Sequence, residues 1–143
     1  MPNIERTGWR DQAISTRHRL WGDHLFACDI DWLLLEYYSK RPVLLIDYKH
    51  ILARETLDLQ TASIKALEWL ATTAGIQFWI VIYDLDADEP TFEMIPMNQK
   101  AKQYLGGTLK VSEDVFVRHL YNLRGLAQGD YLERILENLK ETV

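Results

Sequence analysis

A chain of 143 residues, 48% of them hydrophobic, can bury roughly two-thirds of its unfolded surface and is expected to form a single domain over residues 1–143. Sixteen basic against 21 acidic residues leave a net charge of -5, which argues against a general polyanion binder held by many Lys and Arg contacts to phosphate. One cysteine excludes an internal disulfide, the opening MPNIERTGWR has no apolar signal core, and no run approaches the ~20 apolar residues that cross a bilayer, so a cytoplasmic, non-membrane chain is expected.

In chain order, the first predicted element is a polar helix from about Trp9 to Arg19, ended by Trp21-Gly22. Its basic residues Arg17, His18 and Arg19 could face phosphates or be ordinary solvated charge. Next comes a predicted hairpin: a strand opening with Asp29-Ile30-Asp31, a polar turn SKRP that contains Lys40 and Arg41, and a second strand VLLIDYK. Strand period two puts Asp47 and Lys49 on one face of the second strand, and Asp29 and Asp31 on one face of the first. Glu36 falls on the opposite face unless a bulge turns it.

A helix should follow, with Thr61 as N-cap, Ile64, Leu67, Ala71 and Ala74 on one stripe, and Gly75 as its stop. The apolar run Phe78 to Tyr83 and the segment Phe92 to Met97 read as a second hairpin. Its loop, Asp84 to Pro90, opens like a calcium loop but has Glu89 and Ile95 where glycine and a bidentate acid are needed, so it is expected to be a solvated turn. Two further helices are expected after Ser112 and after Asp130. The last presents a stripe of Leu132, Ile135, Leu136 and Leu139, suited to packing on its own domain or to docking on a partner.

The chemistry concentrates at the first hairpin. Carboxylates that share a site raise each other's pKa and repel, so Asp29, Asp31 and Asp47 together are costly unless a divalent cation or Lys49 compensates. The bland account, an exposed Asp47–Lys49 ion pair worth ~0–1 kcal/mol, leaves Asp29 and Asp31 as unexplained like charges. Other candidates are weaker. His18, His24, His50 and His119 lack metal-ligand spacing, Cys28 reads as a strand-core residue without an activating motif, and Gly106-Gly107 is a turn rather than a phosphate loop.

The acid at the first strand followed by Asp47-Tyr48-Lys49 on the second resembles the PD-(D/E)xK nuclease superfamily, with Cys28 or Ile30 in place of the preceding proline. The resemblance runs from about Trp9 to Met97. It implies an α/β, restriction-endonuclease-like core with a central mixed sheet flanked by helices, to which the C-terminal helices would be added. It also implies a nuclease in which Asp31, Asp47 and the Tyr48 carbonyl hold Mg²⁺ or Mn²⁺ and Lys49 assists the attacking water. Asp29 would be a second ligand, Glu36 an accessory acid, and Arg17, His18, Arg19, Lys40 and Arg41 the nucleic-acid contacts. DNA is the favoured substrate over RNA. So small a chain would recognise structure, or rely on a homodimer or another protein. The alternatives are a non-catalytic interaction module using its sheet and C-terminal helix, and a hydrolase of small phosphoesters.

Overall fold

The computed structural model describes residues 12–125 and 130–142. It is an α/β structure with one five-stranded mixed sheet flanked by helices. The elements are α1 (Gln12–Leu20), β1 (Trp32–Leu35), β2 (Pro42–His50), a 3₁₀ turn (Ile51–Ala53), α2 (Ala62–Ala74), β3 (Gln77–Asp84), β4 (Thr91–Pro96), α3 (Gln99–Leu105), β5 (Leu109–Ser112), α4 (Glu113–Leu123) and α5 (Asp130–Thr142). Trp9 to Asp11, at the start of the expected first helix, lie outside the described residues.

Strands lie in sequence order across the sheet. β2 and β3 run parallel, joined by α2 as the crossover, and all other neighbours are antiparallel. β3 is covered on both faces, which is why QFWIVIYD reads as an unbroken apolar run rather than an alternation. One face carries Leu45, Phe78, Ile80 and Ile82 and meets Ile64, Leu67 and Ala71 of α2. The other carries Leu44, Ile46, Trp79, Val81, Phe92 and Met94 and meets α3 and α4 through Ala101, Leu105 and Phe116. Phe116 stacks flat on Phe92 with ring centres 4.5 Å apart.

The crossover helix forms where capping chemistry and stripe agree. The Thr61 hydroxyl accepts from the Ile64 amide, and Gly75 at φ 74° takes the left-handed stop that a side chain would strain. Burying Ile64 and Leu67 contributes roughly 1.5–3 kcal/mol each. Ala74, expected on that stripe, is exposed instead. The stripe has drifted round the helix by its last turn, where Ile76 enters β3 and covers that end of the core.

Several expectations are met and others corrected. β3 and β4 form the expected antiparallel hairpin. Its acidic loop is a turn in which Asp84 Oδ1 accepts from the amides of Asp86 and Ala87. α5 buries Leu132 and Leu136 against its own chain. α3 and β5 were not anticipated. Most consequentially, the first strand does not begin with Asp29-Ile30-Asp31 but at Trp32. The Asp31 carboxylate takes the Tyr48 amide at 2.9 Å, where a ladder carbonyl would otherwise bond, so strand pairing stops one residue short of it. Cys28, expected inside a strand, is consequently exposed. Among the described residues, no helix is long and apolar enough to cross a membrane.

Candidate functional site

Strand register explains why two carboxylates meet. The β1–β2 ladder ends at Trp32 opposite Ile46, so one further step brings Asp31 to Asp47, and Asp29 lines the same cleft as Lys49. Because the Tyr48 amide points to the β1 side, Ile46 and Trp32 are a hydrogen-bonded pair, and the Asp31–Asp47 step is the closer, non-hydrogen-bonded kind with Cβ atoms roughly 4.5–5.5 Å apart. Asp31 hydrogen-bonds Asp47, and Lys49 Nζ lies 3.2 Å from Asp47 Oδ2.

Asp47 is buried, at 9% exposure, because its neighbours on that face are apolar. β3 sets Ile80 beside it, and α2 lays Ile64 and Leu67 over the cleft. Burial first, and then the hydrogen bond and charge of Asp31, push the Asp47 carboxyl above its ordinary value, while Lys49 pulls it down. The net direction is upward: one ammonium does not offset desolvation plus a second acid. Tyr48 points to the opposite face, where burial, and secondarily the Asp31 charge, push its phenol up to about 12. Its backbone carbonyl shares the edge of its amide and so faces the segment that carries Asp31.

The cleft around these groups has a volume of about 380 Å³. Asp29, Asp31, Asp47 and Lys49 form one side, and Thr61 and Ser63 of the first turn of α2 form another. The amides of Ala62 and Ser63 have no intrahelical acceptor, and the positive end of the helix dipole favours an anion there. The site thus lies at the carboxyl end of a parallel strand, next to the amino end of its crossover helix. Sequence reading recognised Thr61 only as a cap. Ser63, four residues before the stripe residue Leu67 on the same helix, carried no signal of its own.

The remaining predicted residues are elsewhere. Glu36 does not join the carboxylates: its Oε1 accepts from the amides of Tyr38 and Ser39 at 2.9 and 2.7 Å, and these bonds hold its carboxyl below the ordinary value. It caps the β1–β2 turn. Lys40 and Arg41 are in that same turn, roughly 20 Å from Asp47 along the six intervening steps of β2. Lys40 adopts φ 61° and sets its ammonium over the Tyr37 ring at 4.6 Å. Arg17, His18 and Arg19 are exposed on α1, which buries no residue, with the His18 ring against Trp21. None of these basic residues is among the described residues that line the cleft. His50 Nδ1 caps the 3₁₀ turn by accepting from Leu52, and His119 pairs with the Tyr104 hydroxyl at 3.0 Å.

Among the described residues, no three His, Cys, Asp or Glu side chains cluster tightly enough to hold a metal by themselves. Two carboxylates and the Tyr48 carbonyl nevertheless make a hard oxygen donor set, the kind that suits Mg²⁺ or Mn²⁺. The raised Asp47 pKa registers an acid–acid contact that a cation would relieve. A larger cleft of about 530 Å³ lies between α5 and the β3–β4 loop, lined by Asp88, Glu89, Glu113, Asp114 and Lys140. Its Asp114 carboxyl is held low, chiefly by the Ser112 hydroxyl, the opposite direction from Asp47 in the smaller cleft. No family model, curated protein or solved structure matches this chain.

Proposed function

We propose that this chain is a Mg²⁺- or Mn²⁺-dependent nuclease of the PD-(D/E)xK type, with a restriction-endonuclease-like core and DNA as the favoured polymer. The observation that carries the reading is the meeting of Asp31, Asp47 and Lys49 at the end of β2, with the Asp47 carboxyl pushed up by burial and by Asp31. Asp31, Asp47 and the Tyr48 carbonyl would hold the cation, with Asp29 beside them. When bound, it would supply charge neutralisation at a phosphate oxygen and a water of lowered pKa.

The chain's own residues account for the rest. Lys49, ion-paired with Asp47, orients or helps deprotonate the attacking water and steadies the charge that builds on the phosphoryl oxygens. The α2 amino end, with Thr61 and Ser63, receives the neighbouring phosphate. Apolar walls from Ile64 and Leu67 keep bulk water from screening these interactions. The basic turn at Lys40 and Arg41 is far enough from the carboxylates to touch a polymer two or more nucleotides away, but not a mononucleotide.

The test is direct. Purified protein with Mn²⁺ should cut single-stranded, double-stranded or branched DNA, and Asp47→Ala should abolish both cleavage and calorimetric Mn²⁺ binding. Wild-type protein that binds no metal and cleaves no DNA or RNA would overturn the proposal. Lys40→Ala with Arg41→Ala should leave the rate on a saturating short oligonucleotide unchanged and flatten the salt dependence of binding to a long one by about two units of slope.

A further inference from the structure

We infer that the open edge of β1 is a meeting surface for a second copy of this chain, the two β1 strands pairing antiparallel about a two-fold axis at Leu33. β1 closes the sheet on one side. Since Trp32 and Leu34 direct their amides and carbonyls to β2, Leu33 directs its own outward. The edge is closed further along, where the Tyr37 amide donates to the Arg124 carbonyl at 2.7 Å, and the register shift between Leu34 and Leu35 lies beyond the axis. Edge strands of monomers are guarded by Lys, Pro or inward charge; the sequence here is Trp-Leu-Leu-Leu, with Trp32, Leu33 and Leu35 exposed.

The chain leading into this strand has the same character. Leu20, Trp21, Leu25 and Phe26 are exposed, Phe26 at 94%. Summed over the exposed large apolar residues from Leu20 to Tyr38, this surface is on the order of 1,000 Å² per copy, of the same order as the ~800 Å² per partner that a stable complex buries.

Charge selects the occupant. Asp29 and Asp31 precede β1, whereas Lys40, Arg41 and Arg124 gather at its far end, Arg124 over the Tyr37 ring. Antiparallel pairing about a two-fold lays Asp29 and Asp31 of each copy along the end of the other that carries Lys40, Arg41 and Arg124, where the one acid, Glu36, is engaged by the Tyr38 and Ser39 amides. A nucleic acid would offer no strand to the Leu33 amide. Pairing of this kind would also fix the segment that carries Asp31, but it stands independently of the reading of the carboxylate cleft.

Sedimentation equilibrium of the full chain tests it. Wild-type protein should sediment at twice its 16.8 kDa chain mass across the micromolar range. Leu33→Pro deletes the outward amide while sparing the bonds to β2, and Leu33→Lys sets two ammonium groups together at the axis. Both variants should sediment as monomers with the wild-type far-ultraviolet circular dichroism. If Leu33→Pro loses that spectrum, Leu33→Lys alone decides, because its side chain is already exposed. A monomeric wild type would overturn the inference and leave the edge to a foreign strand. A dimer that persists in Leu33→Lys would overturn it as well.

Discussion

Asp47→Asn is expected to raise the melting temperature of the metal-free protein while removing hydrolysis. Burial and the adjacent Asp31 push the Asp47 carboxyl above its ordinary value of 3.8. An acid whose folded pKa lies above its unfolded one binds its proton more tightly in the native state. Stability therefore falls as pH rises from the ordinary carboxylate range through the raised value. The wild type carries that penalty increasingly as pH rises above the ordinary carboxylate range, and the neutral amide does not. Relieving such a site typically gains about 1 kcal/mol, which in a chain of this size corresponds to a rise of about 3 °C. Differential scanning calorimetry between pH 4 and 8 should show the wild-type melting temperature declining more steeply than that of Asp47→Asn across the window above pH 4. Parallel curves would mean that Asp47 carries no such penalty.

Added Mn²⁺ should reverse the ranking. A ligand present at about a hundredfold excess over its dissociation constant stabilises the native state by about 2.7 kcal/mol, so wild-type protein should overtake Asp47→Asn, which has lost one of the charged donors. Lys49→Ala should bind Mn²⁺ at least as well as wild type, since it removes a competing cation from Asp47. It should still cleave about 10²–10³-fold more slowly, the usual loss when one donor to a developing oxyanion is deleted. Metal affinity and turnover would thus separate in one variant. That separation distinguishes a catalytic lysine from the partner of a structural ion pair.

What the sequence disclosed of this site depended on periodicity, and what it concealed depended on side chains acting as backbone. Asp47 and Lys49 share a face because strands repeat every two residues, and that parity is readable without a structure. The Asp29–Asp31 parity was also readable, and it agrees with the continued register, yet the strand it was assigned to starts later because the Asp31 carboxylate replaces a ladder carbonyl. The same parity put Glu36 on the opposite face unless a bulge turned it, and the resemblance kept it as an accessory acid, but its real task, capping a turn in which Lys40 takes φ 61°, belongs to a conformation that composition does not announce. α2 was legible from cap to glycine stop because Thr61, Gly75 and the stripe agree, all but Ala74 at its last turn. α3 also has its signals, Asn98 before it and Gly106 after it, but its seven residues bury only Ala101 and Leu105, too short a stripe to stand out. β5 was hidden for a related reason: four residues, two of them exposed, are fixed by pairing with β4 rather than by any pattern of their own.

Asn98→Ala is expected to destabilise the fold by about 3–5 kcal/mol, read as a fall in the urea midpoint at constant slope. This side chain is buried at 6% exposure, and both its polar atoms are committed. Its Oδ1 accepts from the Phe78 amide at 3.2 Å and from the Ala101 amide at 3.1 Å, and its Nδ2 donates to the Ile76 carbonyl at 2.9 Å. One amide therefore joins the start of β3 to the first turn of α3. Truncation strands three buried backbone groups at about 1–3 kcal/mol each, reduced by whatever water can enter. Asn98→Asp preserves the acceptor but loses the donor and adds a buried charge, so it should recover only part of the loss. An unchanged midpoint in Asn98→Ala would show that water replaces the side chain at no cost. Asn98 and Asp47 are buried polar groups of nearly equal size, yet their removal should move stability in opposite directions. Asn98 meets complementary partners on both polar atoms, whereas Asp47 is buried against another acid, the mismatch that the proposed cation would relieve.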